Sequence, residues 1–377
     1  MTEVNPTVRT STQLPVSEEK YTASSRVNTH YSFTAPGSYF LPSLPSTDPA
    51  TFDPTTTNFG LISQSYESDS SLPLLHFGDH HVGKPTDWQR FDHHLKTLNT
   101  QADADTSYHI LYLARHGQGY HNLAESYYGP AAWDCHWAEL DGDPDPASTI
   151  SWSDAHLSKL GQRQAQEQSK FWIFQLSKQG MPPPHTWFVS PMNRACKTLE
   201  ITFQPLVETG IVQGWKPTVK EYLRETNGIH TCDRRSPRSV IADTFPQYTI
   251  ESNFTEQDEL WDPIYRETDK AHTHRAALVL DDILSSIPPE ETDYISITAH
   301  GGMINAILRA IGHRQFTVRV GSAIAVLVKA EKLDGKRPEQ HFGNGVVKPD
   351  CVEDPLKAGL PGYKSLKDYV DGVEAGA

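Results

Sequence analysis

Cysteine is scarce in this chain, which has four in 377 residues. The cysteines are Cys135, Cys196, Cys232 and Cys351, and they lie far apart without any paired C-x-x-C spacing. This pattern predicts neither a structural zinc site nor a disulfide framework. It favours a reducing compartment, with the cytoplasm expected before the nucleus.

Long apolar runs and an excess of positive charge are also missing. No stretch reaches the roughly 18 apolar residues that span a bilayer, and the amino-terminal segment lacks the apolar core of a secretory signal. Lys and Arg number 33 against 47 Asp and Glu, which gives a formal net charge of -14. Because the chain is acidic, we do not expect its surface as a whole to bind nucleic acid or an anionic membrane. Any anionic substrate must therefore be held by a local cluster of arginines.

Composition divides the chain into segments of different character. Residues 1–35 are rich in Ser, Thr and Pro without periodicity, which indicates a disordered arm. Residues 36–108 contain more aromatic residues. We expect this segment to form an amino-terminal lead-in packed on the main domain. The main domain is predicted over residues 109–335 with an insertion at about 228–265, and residues 336–377 form a carboxyl-terminal tail.

Apolar runs with the character of strands alternate with helical patterns. The runs are HILYLAR (109–115), TWFVSP (186–191) and DYISITAH (293–300). Between the first two, residues 153–180 carry apolar residues at near-helical spacing, which predicts one long amphipathic helix with Ser153 or Asp154 as its N-cap. Such alternation predicts an α/β fold, a three-layer α/β/α sandwich with a mostly parallel central sheet. Ligands then bind beyond the carboxyl ends of the strands.

Polar residues follow each of the three runs where the strand ends. They are Arg115, His116 and Gly117 after the first, Arg194 shortly after the second, and His300 and Gly301 after the third. A neutral imidazole is a nucleophile, and nearby guanidinium groups disfavour its protonation. The same guanidinium groups can chelate a phosphoryl group. A glycine after each histidine lets backbone and substrate approach closely. The sequence therefore predicts a phosphoryl-binding site in which His116 is the candidate nucleophile.

Four segments resemble one protein family in their order along the chain. They are LARHGQGYHN, DAHLSKLGQRQA, SPMNRACKT and TAHGGMINAILRAIG, and together they resemble branch 1 of the histidine phosphatase superfamily, the phosphoglycerate mutase-like proteins, over roughly residues 109–330. The resemblance implies that His116 accepts the phosphoryl group, that Arg115, Arg194 and His300 hold it, and that Asn122 supports them. It also implies a phosphoglycerate mutase-like fold that needs no metal or organic cofactor.

The resemblance also implies a proton donor for the leaving oxygen. In the acid-phosphatase and phytase branch this donor is the Asp of an H-D pair, but here Gly301 follows His300, and the R-H-G-x-R-x-P extension is missing. The mutase branch carries a glutamate after a strand, and LRE at 223–225 matches it. Glu225 is therefore predicted as the general acid. Glu221, one helical turn earlier, stays open as a competitor.

The segment after Glu225 bears on the reaction type. Mutases of this family follow the glutamate with an R-H-Y-G type of segment, whereas this chain reads ETNGIHTCDRRSPRS. We therefore expect hydrolysis of a phosphate monoester of a small metabolite, with Arg234 and Arg235, beside His230 and Arg238, as a candidate second basic contact with the substrate. ETNGIHTCDRRS and the lead-in to about Leu61 resemble a phosphomutase-like subgroup of predicted broad-range phosphatases, some of them fungal. A phosphomutase of the phosphoglycerate mutase type and a catalytically inactive interaction domain remain as alternatives.

Overall fold

One central sheet organises the chain. The computed structural model describes residues 29–72, 76–77, 81–82, 84–288, 293–340, 342 and 345–376. The strands are β1 (Thr29–Thr34), β2 (His76–Phe77), β3 (His81–Val82), β4 (Thr106–Arg115), β5 (Thr186–Val189), β6 (Thr218–Val219), β7 (Thr249–Ile250), β8 (Tyr265–Arg266), β9 (Tyr294–Ala299), β10 (Ala323–Asp334) and β11 (Val346–Val347). The helices are α1 (Asp87–Gln101), α2 (Tyr120–Tyr128), α3 (Pro130–Cys135), α4 (Lys159–Lys178), α5 (Asn193–Glu208), α6 (Arg238–Thr244), α7 (Asp269–Ser286), α8 (Gly301–Ala310) and α9 (Leu366–Gly376). In the described part of the chain, no helix combines the length and the apolar character needed to cross a membrane.

The central sheet has seven strands in the order β1-β10-β4-β9-β5-β6-β7. From β4 to β7 every neighbouring pair is parallel. β10 runs antiparallel to both of its neighbours, β1 and β4. The predicted α/β fold with a mostly parallel sheet is therefore confirmed, with one reversed strand near its edge.

Helices cover both faces of the sheet, because successive strand residues point to opposite sides. Ile110 and Tyr112 of β4 belong to an apolar cluster with α1, α4 and α5. Leu111 and Leu113 belong to a second cluster, with α7 and α8. The helix of the lead-in, α1, buries Trp88 and neighbouring apolar residues in the first cluster. The result is the predicted three-layer sandwich.

The amino-terminal part of the described chain differs from the prediction. Within the segment predicted as a disordered arm, Thr29–Thr34 forms edge strand β1, which pairs with β10. Tyr31 and Phe33 pack against the cluster on the α7 and α8 face, and the backbone N–H of Tyr31 donates to Asp281 at 2.9 Å. The Ser and Thr content of this segment masked the alternation of its aromatic residues. Residues 1–28 lie outside the described residues.

The long helix after the first strand begins later than predicted. The N-cap of α4 is Ser158, whose side chain accepts a hydrogen bond from the backbone N–H of Gly161. Ser153 and Asp154 do not fill this role. Asp154 instead accepts from the backbone N–H of Asn193 at 2.8 Å and from the hydroxyl of Ser236 at 2.6 Å. It thereby connects the start of α5 to the segment that follows Glu225.

The carboxyl-terminal tail is tied to the domain by a disulfide bond. Cys135 in α3 is bonded to Cys351, 216 positions later. Beyond it, α9 buries Leu366 and Val370 in a third apolar cluster with α2 and α3. The prediction that the cysteines form no disulfide is therefore wrong for this pair. The bond also argues against the reducing compartment that was inferred from the spacing of the cysteines. Spacing alone gave no sign of the pair, because the two cysteines meet only through the fold.

The disulfide should contribute measurably to stability. Replacing Cys351 by serine (Cys351→Ser) should lower the free energy of unfolding by about 2–4 kcal/mol, because the tail is then no longer tethered in the unfolded chain. Chemical denaturation monitored by tryptophan fluorescence measures the difference. Reductant should destabilise the wild type by a similar amount and leave Cys351→Ser unaffected. Equal stability of wild type and variant without reductant would contradict the assignment.

Candidate active site

The site lies where three neighbouring parallel strands end. Arg115 of β4 pairs with Ala299 of β9, so His116 and His300 follow side by side on the two strands. Their ring centroids are 5.0 Å apart. On the other side of β9, β5 ends just before Ser190, whose Oγ lies 2.7 Å from Nε2 of His300. The structure thus brings both histidines to the edge of the sheet where α/β proteins bind ligands.

The His116 ring is held in one tautomer by its own loop. It is 2% exposed, and its Nδ1 lies 2.7 Å from the carbonyl oxygen of Gly117. A carbonyl oxygen only accepts hydrogen bonds, so Nδ1 carries the proton and Nε2 keeps its lone pair. Burial, followed by the charges of Arg194 and Arg115, lowers the pKa of His116 well below its ordinary value. The ring is therefore neutral at physiological pH and presents Nε2 as a nucleophile.

Two further imidazoles flank His116. His121, on α2, has its ring centroid 5.4 Å from that of His116. Burial and then Arg194 lower the pKa of both His121 and His300 well below the usual range. The Nδ1 atom of each ring is buried without a hydrogen-bond partner among the described residues. Sequence reasoning missed His121, although it directly precedes the predicted pocket residue Asn122.

Arg194 is anchored by the segment that follows Glu225. It lies in the first turn of α5 and is 1% exposed. One terminal nitrogen, Nη1, donates to the carbonyl of Cys232 at 2.6 Å, and Nη2 pairs with Oδ1 of Asp233 at 3.1 Å. Asp233 also pairs with Arg266. A carboxylate this deeply buried needs such partners, because an unpaired buried charge is strongly destabilising.

Arg115 lies opposite, against the start of α8. It donates to the carbonyl of Val318 at 3.1 Å, and a Cβ built on Gly301 would lie 3.2 Å from its Cζ. A side chain at position 301 would therefore press on the guanidinium group. The Nε atoms of Arg115 and Arg194 are buried and have no partner among the residues that the structure describes. Each arginine thus keeps a donor available for an anion.

Glu225 lies at the amino-terminal end of α8. Its carboxylate accepts from the backbone N–H groups of Thr226 at 2.9 Å and Gly302 at 3.0 Å. It also interacts electrostatically with Arg115, whose guanidinium group lies beside Gly301 at the same end of α8. A Cβ on Gly302 would come within 2.0 Å of Oε1 of Glu225, so a side chain at this position would displace the carboxylate. The sequence analysis had selected Gly301 but not Gly302.

The loop after His116 is packed too closely to admit side chains. The backbone N–H of Gly117 donates to Oγ1 of Thr198 at 3.0 Å, and a Cβ at 117 would lie 2.4 Å from the carbonyl oxygen of Gly161. Asn122, on α2, accepts from the backbone N–H of Gly119 at 3.1 Å through Oδ1. Its Nδ2 group is then the end of the side chain that can donate to an anion.

The basic segment after Glu225 has a structural role. Arg235 is buried, and each of its nitrogens donates within the protein, to Glu221, Thr255 and neighbouring carbonyl groups. The expectation that Arg235 binds substrate is therefore wrong, because no donor is left. Glu221 is held by Arg224 and Arg235, which removes it as a competitor of Glu225.

Two other arginines of this segment are more exposed than Arg235. Arg234 pairs with Asp141 at 2.6 Å and lies over the ring of Trp261, and its contact with substrate stays a prediction. Arg238 is exposed at the start of α6.

His230, Cys232 and Asp233 place potential ligand atoms within 4.8 Å of one another. Two observations argue against a metal ion in this trio. Asp233 is paired with Arg194 and Arg266, whose positive charges would repel a cation. Burial, with the charge of Asp233, raises the pKa of the Cys232 thiol well above its usual value, whereas a metal ligand must be a thiolate. Asp233 and the backbone carbonyl of Cys232 instead anchor guanidinium groups.

Comparisons with known proteins identify relatives over most of the chain. A sequence model of the histidine phosphatase superfamily (branch 1) matches residues 145–320. A probable phosphoglycerate mutase of Arthroderma benhamiae is 45% identical over 298 residues, which cover 79% of this chain and 84% of that protein. Phosphomutase-like protein 3 of Candida albicans is 36% identical over 231 residues, or 61% of this chain and 68% of that protein.

Solved structures match more distantly. A phosphoglycerate mutase from Thermus thermophilus is 22% identical and covers 57% of this chain and 91% of its own, with a TM-score of 0.29. A mycobacterial glucosyl-3-phosphoglycerate phosphatase is 18% identical and covers 54% of this chain and 78% of its own, with a TM-score of 0.29. With TM-scores this low, we draw nothing about this chain from either structure.

The geometry predicts the protonation state of His116. Because its pKa is lowered, the ring should stay neutral as the pH falls through the ordinary histidine value of about 6.5. In spectra of the phosphate-free protein labelled with ¹⁵N-histidine, Nδ1 should show the shift of an N–H nitrogen and Nε2 that of a lone-pair nitrogen. The spectrum of His116→Asn assigns the signals by their loss. A His116 signal that titrates near pH 6.5 would refute the assignment.

Proposed function

This chain belongs to branch 1 of the histidine phosphatase superfamily, and we propose that it hydrolyses a phosphate monoester of a small metabolite through a phosphohistidine on His116. The observation that carries the proposal is the tautomer of His116. Its proton is held on Nδ1 by the carbonyl of Gly117, which leaves the lone pair on Nε2 of a ring that interacts with Arg194 and Arg115. Such a nitrogen is suited to attack phosphorus.

In the first step, Nε2 of His116 forms a bond to phosphorus as the ester P–O bond breaks. The unpaired Nε–H groups of Arg115 and Arg194 are available to stabilise the negative charge on the equatorial oxygens. His300 adds a neutral donor beside them when its Nδ1 carries the proton. Glu225, in its protonated form, gives a proton to the departing alkoxide, so that the product leaves as an alcohol.

In the second step, water takes the place of the alcohol. The carboxylate of Glu225 removes a proton from the water. At the same time the oxygen of the water bonds to phosphorus and the N–P bond breaks. Inorganic phosphate is formed, and His116 regains the lone pair on Nε2. Glu225 is again protonated, so each turnover restores the starting state.

The segment after Glu225 supports hydrolysis over transfer. Arg235 is buried and engaged by Glu221 and by backbone carbonyl groups, so it is not free to bind a second anionic group of a phosphoglycerate. Arg234 is paired with Asp141 at the surface. The phosphomutase alternative is supported by the relatives, whose names describe a probable phosphoglycerate mutase and a phosphomutase-like protein. We would not expect an inactive interaction domain to keep His116, Glu225 and the buried Arg194 together in one site.

The destination of the phosphoryl group tests the proposal. With a ³²P-labelled sugar phosphate and unlabelled 3-phosphoglycerate present, label should appear as inorganic phosphate, and acid-labile phosphoprotein should accumulate in a rapid quench. His116→Asn should lose both signals. His313→Asn is a matched control, because Nδ1 of His313 also contacts the carbonyl of its neighbour, Arg314, but outside the site. Label on the phosphoglycerate would favour the mutase, and label retained by His116→Asn would exclude His116 as acceptor.

The role of Glu225 predicts a dependence on the leaving group. In single-turnover experiments that follow release of the alcohol in the first step, Glu225→Gln should slow the reaction of an alkyl phosphate by roughly 10²–10⁴-fold, because the alkoxide then departs without a proton. The second step is left out of this comparison, because Glu225 acts there as the base for both esters. p-Nitrophenyl phosphate, whose leaving group needs no proton, should be affected far less. Glu221→Gln is the control, since its ion pairs with Arg224 and Arg235 give it no contact with the reacting atoms. An equal loss on both esters in this first step would argue against general acid catalysis.

A further inference from the structure

Carboxylates lie near the arginines of the site. Arg115 and Arg194 provide donors for the phosphoryl group. Glu125 on α2 interacts with Arg115, and His230 interacts with Glu225. Asp134 on α3 and Arg266 interact in turn with both Glu125 and His230. The proposed function does not use Glu125, Asp134, His230 or Arg266.

Glu125 shares the pocket-facing side of α2. It lies four residues after His121, whose ring is 5.4 Å from that of His116, and residues four apart lie on one face of a helix. It interacts with Arg115, and no salt bridge pairs it with a cation among the described residues. Burial, followed by Asp134, raises the pKa of Glu125. This carboxylate is therefore half-buried and lacks a direct ion pair, and it interacts with Arg115 and Arg266 only at longer range.

The neighbours of Glu125 add no free positive charge. Nε2 of His230 lies 3.5 Å from Oδ1 of Asp134, but burial and Arg266 lower the pKa of His230 to about 4, so this ring is neutral at physiological pH. Arg266 donates to the carbonyl of Gly228 at 2.7 Å and pairs with Asp233. Asp134 is half exposed and has only the neutral ring of His230 as its partner within the part of the chain described.

We propose that the site selects phosphate monoesters whose leaving group is uncharged and bears hydroxyl groups, such as polyol and sugar phosphates, over esters with a carboxylate or a second phosphate. This rests on the proposed phosphatase function. Glu125 and Asp134 would face the alcohol portion of a bound ester and repel a second anionic group. The carboxylates and the neutral His230 ring also offer hydrogen bonds that hydroxyl groups can satisfy.

Pairs of esters that differ in one charged group test the proposal. Sorbitol 6-phosphate is compared with 6-phosphogluconate, and glycerol 1-phosphate with 3-phosphoglycerate. We expect kcat/KM to be at least roughly tenfold higher for the neutral member of each pair, with the difference shrinking as salt screens the carboxylates. The same four compounds are measured as competitive inhibitors of p-nitrophenyl phosphate hydrolysis, so the comparison holds for compounds that turn over slowly.

Substitution of the two carboxylates should reduce this discrimination. Glu125→Gln and Asp134→Asn should each lower KM or Ki for the anionic member of a pair and leave the neutral member nearly unchanged. Because Asp134 is half exposed, its substitution should not disturb the packing of the protein, so Asp134→Asn tests the effect of the charge by itself. Glu167→Gln is the matched control, because it removes the same charge from an exposed position on α4.

The outcomes separate this inference from the function on which it rests. If p-nitrophenyl phosphate is hydrolysed but each pair is bound and turned over equally, the inference fails and the phosphatase stands. A preference for the anionic members, or a preference that Glu125→Gln and Asp134→Asn both leave unchanged, also overturns it. If His116→Asn hydrolyses p-nitrophenyl phosphate as fast as the wild type, the proposed function itself fails.

Discussion

The buried ion pair between Arg194 and Asp233 is the interaction on which the rest of the site depends. It joins the first turn of α5 to the segment after Glu225, and Arg266 completes it from the far side. With Asp233 on Nη2 and the Cys232 carbonyl on Nη1, the guanidinium group of Arg194 is fixed in orientation and its Nε is left for an anion. Its charge reaches three imidazoles, at His116, His121 and His300, and in each it opposes protonation. Arg194 therefore contributes to binding of the phosphoryl group and, second to burial, to the neutrality of the nucleophile.

Backbone hydrogen bonds position the nucleophile and the proton donor, in addition to the electrostatic effect of Arg194. The carbonyl of Gly117 selects the tautomer of His116, and the N–H of Gly302 fixes one oxygen of Glu225. Gly117 lies in the loop directly after β4, and Gly302 lies in the first turn of α8 just after β9, so both follow the end of a parallel strand. Backbone donors and acceptors in such positions need no reorganisation during the reaction. The nucleophile and the acid are thus positioned by the same edge of the sheet.

The strands and their polar ends could be predicted from the sequence, because a buried parallel strand is a short apolar run that stops abruptly. His116 and His300 followed from that rule. Features that depend on the fold could not be found in this way. Cys135 and Cys351 meet across 216 positions without a local signature. Arg235 looked available in a basic run, but the carboxylate and carbonyl groups that bind it come from elsewhere in the chain. His121 could have been found from helical spacing, since it precedes Asn122 on the turn that faces the pocket.

The contact between the loop after His116 and the start of α4 limits how this chain can diversify. A Cβ at 117 would meet the carbonyl of Gly161, and one at 161 would come within 2.1 Å of the carbonyl of Gln118. Both obstacles are main-chain atoms, which cannot rotate aside as a flexible side chain can. A mutant library built to redirect substrate choice should keep glycine at 117 and 161 and randomise the rim instead. Divergent relatives could thus acquire new substrates while this junction stays constant.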